Sequence, residues 1–222
     1  MLTVQCAGVS RRFVTPGGVV NALDDVDLEV REGEMVAIAG PSGSGKSTLL
    51  AVLGAVDRAT TGTIDVAGRR VSALSRRARR TFRRTAVTTL LPQPSENLFD
   101  RLDVRQHLQW AANRSGRFSP GRDESERLGL TPLLDRHVLE LSGGEQQRLA
   151  VAMALAVGHT VLLADEPTAS LDSANSAGVI DALRAAADAG VTVLVATHDE
   201  AVIEAADRVV WLHHGKVAEG PQ

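Results

Sequence analysis

The sequence predicts an α/β fold in which helices cover both faces of a mainly parallel sheet. Apolar segments of strand-like composition alternate along the chain with longer segments of helical spacing. The alternation is interrupted once, between about residues 93 and 148, where strand-like segments give way to helical pieces containing Pro, Arg and Leu. A chain of 222 residues is long enough to form one such domain with a nested subdomain.

The first third of the chain predicts several strands and one helix. Thr3–Val9 has the composition of a strand, and Val26, Leu28 and Val30 then alternate with charged neighbours, as in a half-buried strand. After the turn at Arg31–Glu34, the expected elements are a buried strand at Met35–Ala39, a loop at Gly40–Gly45, a helix at Lys46–Val56 and a strand at Thr63–Val66.

The last third returns to the alternation of strands and helices. The expected elements are an alanine-rich helix to Val157, a strand at Thr160–Ala164, a helix at Ala174–Ala189, a strand at Val191–Ala196 and a strand pair across Val209–Val217. We therefore expect a single domain spanning residues 1–222. Its core would comprise about residues 1–92 and 149–222, with residues 93–148 as a helical insertion.

Composition limits the class of protein. The formal net charge of −3 argues against general affinity for nucleic acid, which usually needs a basic surface. The single cysteine, Cys6, cannot form an intrachain disulfide, which fits a reducing compartment. The N-terminus lacks a signal pattern, and the longest apolar stretch, Leu149–Val157, is shorter than the roughly 20 residues that span a bilayer. We expect a soluble cytoplasmic protein.

Phosphate binding is indicated by the segment Gly40-Pro41-Ser42-Gly43-Ser44-Gly45-Lys46-Ser47, which matches G-x-x-x-x-G-K-[ST] in full. The segment lies between a predicted strand and a predicted helix, as this motif requires, so a chance Gly/Ser turn is the weaker explanation. Glycines let the backbone wrap closely around phosphates with its N–H groups turned inward. Lys46 would supply a positive charge to the phosphates, and the Ser47 hydroxyl suits Mg²⁺.

Two later strands end in residues that suit hydrolysis. Asp165 and Glu166 follow the apolar run Val161–Ala164, and ligands of open α/β sheets bind at the carboxyl ends of strands. Asp165 would hold Mg²⁺, and Glu166 would orient and deprotonate the attacking water. His198 follows the strand at Val191–Ala196 and would reach the same edge. Solvated strand ends and a structural histidine are the alternatives.

A second helix N-terminus that could bind phosphate is predicted at Leu141-Ser142-Gly143-Gly144-Glu145-Gln146-Gln147-Arg148. Ser142 and Glu145 have the spacing of a capping box, which places the serine at a helix start. Free backbone N–H groups and the helix dipole favour an anion there. The two helix starts are about a hundred residues apart.

Six motifs in order resemble the nucleotide-binding subunit of an ATP-binding cassette (ABC) transporter, over nearly the whole chain. They are GPSGSGKS at 40–47, Gln93, LSGGEQQR at 141–148, LLADEP at 162–167, ASLD at 169–172 and His198. The resemblance implies a P-loop NTPase core with an N-terminal antiparallel β subdomain and an inserted α-helical subdomain. It also implies ATP and Mg²⁺ as ligands, with Thr48 completing the phosphate-binding segment.

The resemblance assigns further roles. Gln93 would contact Mg²⁺ and report nucleotide state to the membrane partner, Asp172 would lie in a loop crossing a dimer interface, and His198 would be the switch histidine. Phe13 matches the aromatic residue that stacks on adenine, with a core phenylalanine as the alternative. The segment Ser142–Gly144 would complete the nucleotide site of a second cassette.

The favoured interpretation is an ATPase subunit that powers a separate transmembrane permease from the inner face of the membrane, as half of a cassette dimer. Asn21–Asp24, Asp57–Gly62 and LLADEPT resemble the lipoprotein-release and macrolide-export type, whereas Ala59, Val138 and the segment Leu91–Phe99 depart from it. The alternatives are an ABC ATPase that regulates a cell-envelope complex, a soluble ABC ATPase acting on nucleic acid or ribosomes, and an ATP-binding switch without catalysis.

A basic cluster at Arg76–Arg84 contains six arginines in nine residues. Such a run is usually a solvated helix face, and that is the favoured interpretation. Contact with anionic lipid headgroups or an acidic partner loop is the alternative.

Overall fold

The computed structural model describes residues 1–115, 122–169 and 171–220, and it contains two sheets and seven α-helices within those ranges. The strands are β1 (Leu2–Thr15), β2 (Gly18–Arg31), β3 (Met35–Ala39), β4 (Thr61–Val66), β5 (Arg69–Arg70), β6 (Val87–Leu90), β7 (Val161–Asp165), β8 (Thr192–Thr197), β9 (Arg208–His213) and β10 (Lys216–Ala218). The helices are α1 (Lys46–Leu53), α2 (Arg76–Thr85), α3 (Val104–Ser115), α4 (Arg122–Arg127), α5 (Gly143–Val157), α6 (Ser173–Asp188) and α7 (Glu200–Ala205).

The larger sheet has the strand order β10-β9-β3-β8-β7-β6 and is parallel except for the hairpin of β9 with β10. Parallel strands need crossover connections, and helices supply them between most neighbours here. The smaller sheet has the order β2-β1-β4-β5 and is antiparallel. The predicted fold class, a mainly parallel sheet with an N-terminal antiparallel subdomain, is confirmed.

The parallel sheet separates two hydrophobic cores. Along β7, Leu162 and Ala164 face a core formed with α3, α5 and α6, whereas Val161 and Leu163 face a core shared with α1 and the antiparallel sheet. Successive side chains of a strand point to opposite faces, so a strand buried on both faces reads as a continuous apolar run. This explains why the apolar segments of the sequence located the central strands well.

Several expected boundaries differ from the structure. The helix predicted to reach Val56 ends at Leu53, because Gly54 caps it and Ala55 then turns with a φ of 54°. Strand β6 and the short helix α7 were not predicted. Between residues 94 and 142 the described residues form helices and turns, apart from one bridge between Asp103 and His137. Helix α5 continues through residue 148, where the insertion was expected to end.

The basic cluster forms helix α2, and the expectation that it is a solvated face holds for only part of it. Phe82 of this helix is fully buried in the core beneath the antiparallel sheet. Arg79 and Arg83 turn inward and donate hydrogen bonds to main-chain carbonyls that follow α1, whereas Arg76, Arg77, Arg80 and Arg84 are exposed. The cluster is therefore partly a structural element and partly a surface.

Candidate functional site

The segment Gly40–Ser47 comprises the loop after β3 and the first two residues of α1, and it lies where the two sheets meet. A Cβ atom at Gly40 would lie 2.2 Å from the carbonyl oxygen of Leu212, and one at Gly45 would lie 2.3 Å from that of Ala22. Both glycines also adopt positive φ angles, 149° and 107°. Only glycine fits these positions, because the loop backbone is pressed against β9 and β2.

Two main-chain hydrogen bonds brace the same loop. The N–H of Ser44 donates to the carbonyl of Pro41 (3.2 Å), and the carbonyl of Ser44 accepts from the N–H of Gly215 (2.9 Å). The hydroxyl oxygen of Ser44 is buried without a partner among the described residues. A buried polar atom of this kind in a glycine-rich loop suits a ligand that supplies its hydrogen bond.

Lys46 begins α1 and is only 8% exposed. Its Nζ donates to the carbonyl of Gly40 at 2.8 Å and to that of Pro41 at 3.2 Å. The ammonium group is therefore held over the loop by neutral oxygens and forms no ion pair within the described part of the chain. Its positive charge remains available to an anion in the loop.

The carboxyl ends of β7 and β8 lie beside this loop. Asp165 ends β7 and is 9% exposed, and burial raises the pKa of its carboxyl. A hydrogen bond with Ser47 and the charge of Lys46 lower that pKa, and Glu166 raises it further. A carboxylate that is buried against a hydroxyl and a lysine is stabilised when a cation binds to it.

Ser47 and Asp165 are suitable ligands for Mg²⁺. The described residues contain no group of three or more His, Cys, Asp and Glu side chains arranged to hold a metal ion. Mg²⁺ sites of phosphate-binding enzymes need no such group, since one or two protein oxygens, water and substrate phosphates complete the coordination. The hydroxyl and carboxylate present here therefore fit Mg²⁺ better than a transition metal.

Glu166 and His198 form a hydrogen-bonded pair at the adjoining strand ends. The Nδ1–H of His198 donates to Oε1 of Glu166 at 2.9 Å, and the hydroxyl of Thr197 lies 3.5 Å from Oε2. The N–H of Glu166 donates to the carbonyl of Ala196 (2.9 Å), and Glu166 has a φ of 48°. The chain thus turns sharply at Glu166, which places its carboxylate next to the histidine instead of extending β7.

These groups surround one pocket of about 630 Å³, called here the phosphate-loop pocket. Its lining comprises Ala22, Gly40, Pro41, Ser42, Gly43, Ser44, Gly45, Lys46, Ser47, Thr48, Pro92, Asp165, Glu166 and His198. The structure therefore brings together the whole phosphate loop and the residues at the ends of β7 and β8.

Four groups of expected site residues lie outside this lining. Gln93 is exposed beside Pro92, and its carbonyl accepts a hydrogen bond from the side chain of Asn97 (3.0 Å). Phe13 is half-buried on β1, with the Arg11 guanidinium 4.2 Å from its ring centroid. Asp172 caps α6, and its bonds to Asn175 lower the pKa of its carboxyl. Ser142–Gly144 also lie outside the lining of the phosphate-loop pocket. Ser170, the second residue of the ASLD motif, lies outside the described residues.

The capping box predicted at Ser142 and Glu145 is confirmed. The Ser142 hydroxyl accepts from the N–H of Glu145 at 3.3 Å, and the Glu145 carboxylate accepts from the N–H of Ser142 at 2.7 Å. These bonds to Ser142 lower the pKa of the Glu145 carboxyl. Ser142 and Gly143 are exposed, so the helix start faces away from the core.

One functional connection was missed from the sequence. Gln147, four residues into α5, is 1% exposed, and its Nε2 donates to the carbonyl of Pro167 at 2.9 Å. Pro167 follows Glu166 directly, so this bond ties the helix that begins at Ser142 to the segment carrying the carboxylate. The pattern LSGGEQQR contained the residue but no signal for its distant partner.

Comparison with known proteins decides the family. The model of the ABC transporter family matches residues 23–169 of this chain. The chain belongs to the ABC transporter family. As an ABC ATPase cassette it aligns with the Macrolide export ATP-binding/permease protein MacB of Salmonella choleraesuis (strain SC-B67) at 39% identity, over 98% of this chain and 34% of that protein.

Other relatives and structures agree. MacB 1 of Aeromonas hydrophila subsp. hydrophila is 40% identical over 96% of this chain and 34% of its own length. The chain thus spans about a third of the length of the curated relatives it matches. The dimeric, post-hydrolysis structure of the ATP-binding cassette MJ0796 bound to ADP and Pi superposes with a TM-score of 0.86 at 30% identity, covering 97% of each chain.

Among the residues that the structure describes, no helix is both long enough and apolar enough to cross a membrane.

Proposed function

We propose that this cassette binds ATP with its phosphate loop, hydrolyses it together with a second cassette, and thereby drives a membrane permease. The observation that carries the proposal is the hydrogen-bonded pair of Glu166 and His198 beside Lys46 in one pocket. A structural strand end would not require a carboxylate and a histidine to face a phosphate-binding loop. The similarity to the MJ0796 cassette, solved with ADP and Pi, supports the same chemistry.

The roles within the pocket follow from charge and geometry. Main-chain N–H groups of the phosphate loop, other than that of Ser44, would hold the β- and γ-phosphates together with the ammonium of Lys46. Ser47 and Asp165 would hold Mg²⁺, with Gln93 as a further ligand, and the ion when bound neutralises charge on the phosphates. Thr48 lies in the first turn of α1, where the N-terminal end of the helix adds positive potential.

Glu166 is suited to act as general base on the attacking water. Its side chain is 22% exposed, so the carboxylate is open to solvent while Oε1 accepts from His198. His198 is 77% exposed and would hold the carboxylate in position and donate a hydrogen bond to the transferred phosphoryl group. The water proton would pass to Glu166 as the water oxygen attacks the γ-phosphorus in line, and the bond from that phosphorus to the bridging oxygen of the β-phosphate would break, releasing ADP.

A second cassette would complete the site. The helix start at Ser142–Gly144, where Ser142 and Gly143 are exposed, lies outside the lining of its own chain's phosphate-loop pocket, and such a start binds anions through its N–H groups and dipole. We place it against the γ-phosphate held by the partner cassette, with Asp172 near the interface and Phe13 against the adenine. The dimeric form of the MJ0796 cassette supports this arrangement.

The permease would dock beside the helical insertion, which we place at about residues 93–148. A cleft of about 260 Å³ lies there between β6, α3 and α5, and Leu91 and Trp110 line it with 37% and 39% exposure. The named relatives combine ATP-binding and permease functions in one protein, so the permease is either a separate subunit or part of the same chain. Their names support export, with the cassette held at the inner face of the membrane.

The test replaces Glu166 with glutamine, which keeps the shape and removes the base. Turnover of ATP by Glu166→Gln should fall by about 10²- to 10⁴-fold, the usual contribution of general acid–base catalysis. Because Lys46 and the loop are untouched, ATP binding should persist and a cassette dimer should accumulate with ATP in size-exclusion chromatography. Glu200→Gln, at the exposed start of α7, is the matched control. Turnover close to that of the unaltered cassette in Glu166→Gln would remove Glu166 as the base.

A further inference from the structure

A second, strongly basic cleft of about 370 Å³ lies beside the turn that follows α1. Its lining consists of Val56 and five arginines: Arg58, Arg76, Arg79, Arg80 and Arg83. None of these residues lines the phosphate-loop pocket. Helix α1 starts at the phosphate loop and runs about 12 Å at 1.5 Å per residue, so the cleft lies beyond its far end.

Two of the arginines are held rigidly. Arg79 donates from Nε and Nη2 to the carbonyl of Ala55 (3.1 and 3.0 Å) and from Nη2 to that of Val56 (2.7 Å). Arg83 donates from Nη1 to the same Ala55 carbonyl at 2.6 Å. The left-handed turn at Ala55, with a φ of 54°, and the buried anchor Phe82 fix both partners. The guanidinium groups are therefore preorganised.

Positive charge predominates in the cleft. Across residues 1–115, 122–169 and 171–220, none of the five lining arginines forms an ion pair. The nearby carboxylate of Asp57 is already engaged, since it accepts from Nε of Arg11 (2.8 Å) and from the N–H of Arg58 (2.7 Å). Burial, and then the charges of Arg58 and Arg83, lower the pKa of the Arg79 guanidinium, and the charge of Asp57 raises it by less. The protein thus tolerates mutual repulsion among these groups.

The first turn of α2 adds to the positive potential. Arg76 is the first residue of the helix, directly after the cap at Ser75, and the turn contains no acidic residue. Basic side chains at this end oppose the helix dipole, which favours negative charge there. An anion bound in the cleft would relieve both this opposition and the repulsion among the arginines.

We propose that this cleft binds a phosphate-bearing anion with at least two negative charges, either a phospholipid headgroup or a soluble polyphosphate. Planar guanidinium groups match phosphate oxygens with paired N–H donors. Nη1 of Arg79 and Nε of Arg83 donate no hydrogen bond among the described residues, and both belong to groups already fixed in place. The exposed Arg58, Arg76 and Arg80 can close over the ligand.

The test compares two double variants of α2. Arg76→Gln/Arg80→Gln removes two exposed charges from the cleft lining. Arg77→Gln/Arg84→Gln removes two exposed charges from the same helix outside the lining, and it is the matched control. None of these four side chains forms a hydrogen bond or ion pair within the described chain, so both variants should fold, which thermal unfolding by circular dichroism checks.

Two arms of the experiment separate the sources of phosphate. Calorimetric titration with tripolyphosphate, in a Lys46→Ala background that weakens the phosphate loop, measures the soluble anion. Co-sedimentation with phosphatidylcholine vesicles containing cardiolipin, against pure phosphatidylcholine, measures the lipid. We expect Arg76→Gln/Arg80→Gln to weaken binding at least about tenfold in one arm or both, and the control to stay within about threefold. Binding by neither probe, or equal losses in both variants, would overturn the proposal.

Discussion

The hydroxyl of Ser142 offers a test that separates a structural role from a catalytic one. In the cassette it accepts one hydrogen bond, from the N–H of Glu145 at 3.3 Å, and donates another to the Glu145 carboxylate at 2.8 Å. Ser142→Ala removes both but leaves the Glu145 carboxylate bonded to the backbone N–H of residue 142. The loss of an N-cap hydroxyl typically costs about 1 kcal/mol. We expect that decrease in the free energy of unfolding, measured by urea denaturation.

The expected effect on ATP turnover is larger. If the Ser142 hydroxyl donates to a phosphate oxygen of ATP held by the partner cassette, a hydrogen bond to a charged group is lost. Such bonds contribute about 1.5–3 kcal/mol, which corresponds to a decrease of about 10- to 150-fold in turnover.

Ser75→Ala is the matched control for this experiment. Ser75 caps α2 and accepts from the N–H of Ala78 at 3.3 Å, the same distance as the cap at Ser142. It should therefore lose a similar amount of stability and keep its turnover. A comparable fall in turnover for both variants would mean that Ser142 acts only through the fold.

Mixing two variants with impaired turnover tests whether Ser142 acts on the nucleotide held by its own chain or by the partner. A mixed dimer of Lys46→Ala and Ser142→Ala chains contains one site with both changes and one site with neither. About half of randomly assembled dimers are mixed, and half of the sites in a mixed dimer are intact. ATP turnover should therefore recover to about a quarter of that of the unaltered cassette. A mixture no more active than its components would refute the assignment of Ser142 to the partner's site.

Three further predictions concern other parts of the cassette. Phe13→Ala should weaken ATP binding by about threefold to tenfold, the range of an aromatic stacking contact, whereas Phe99→Ala should leave it unchanged. Equal affinities of Phe13→Ala and the unaltered cassette for ATP, measured by calorimetry, would remove the stacking role. Gly45→Ala should lower the free energy of unfolding by about 1–3 kcal/mol, because its Cβ would meet the Ala22 carbonyl. Gly178→Ala lies inside α6 with open space around it, and it should raise the free energy of unfolding by about 0.5–1 kcal/mol. Burial raises the pKa of the Cys6 thiol from 9.0 to about 12, so the folded state keeps its proton where the unfolded state loses it. The stabilisation that this thiol contributes is therefore complete below pH 9 and is lost as the pH rises towards 12, at about 1.4 kcal/mol per pH unit. Cys6→Ala should lack this decrease in the free energy of unfolding, measured by urea denaturation across that pH range. An identical decrease in the variant would contradict the assignment to Cys6.

Local signals in the sequence located the elements that local chemistry determines. The phosphate loop, the capping box at Ser142 and the strands buried on both faces each carry their pattern within a few residues. Strand β6 was missed because Thr88 and Thr89 interrupt its apolar character, and its burial depends on neighbours elsewhere in the chain. Helix α7 has six residues, too few for a periodic pattern.

Distant contacts could not be predicted from the same signals. Arg79 and Arg83 belong to an arginine run typical of a solvated face, and only the turn at Ala55 gives them carbonyl partners. The bond from Gln147 to Pro167 likewise joins segments whose approach depends on the packing of α5. The sequence did indicate that Glu166 and His198 would share a sheet edge, because both follow apolar strands. Their hydrogen bond required the pairing of β7 with β8.

The bracing of the phosphate loop has a consequence for synthesis of the chain on the ribosome. Gly40 is packed against Leu212, and the N–H of Gly215 holds Ser44. Gly40 therefore leaves the ribosome 212 − 40 = 172 residues before Leu212, and Ser44 leaves it 215 − 44 = 171 residues before Gly215. At 5–20 residues per second this is a delay of roughly 10 to 30 s. A nascent chain would therefore complete this bracing of the phosphate loop only after β9 and the turn at Gly215 have left the ribosome.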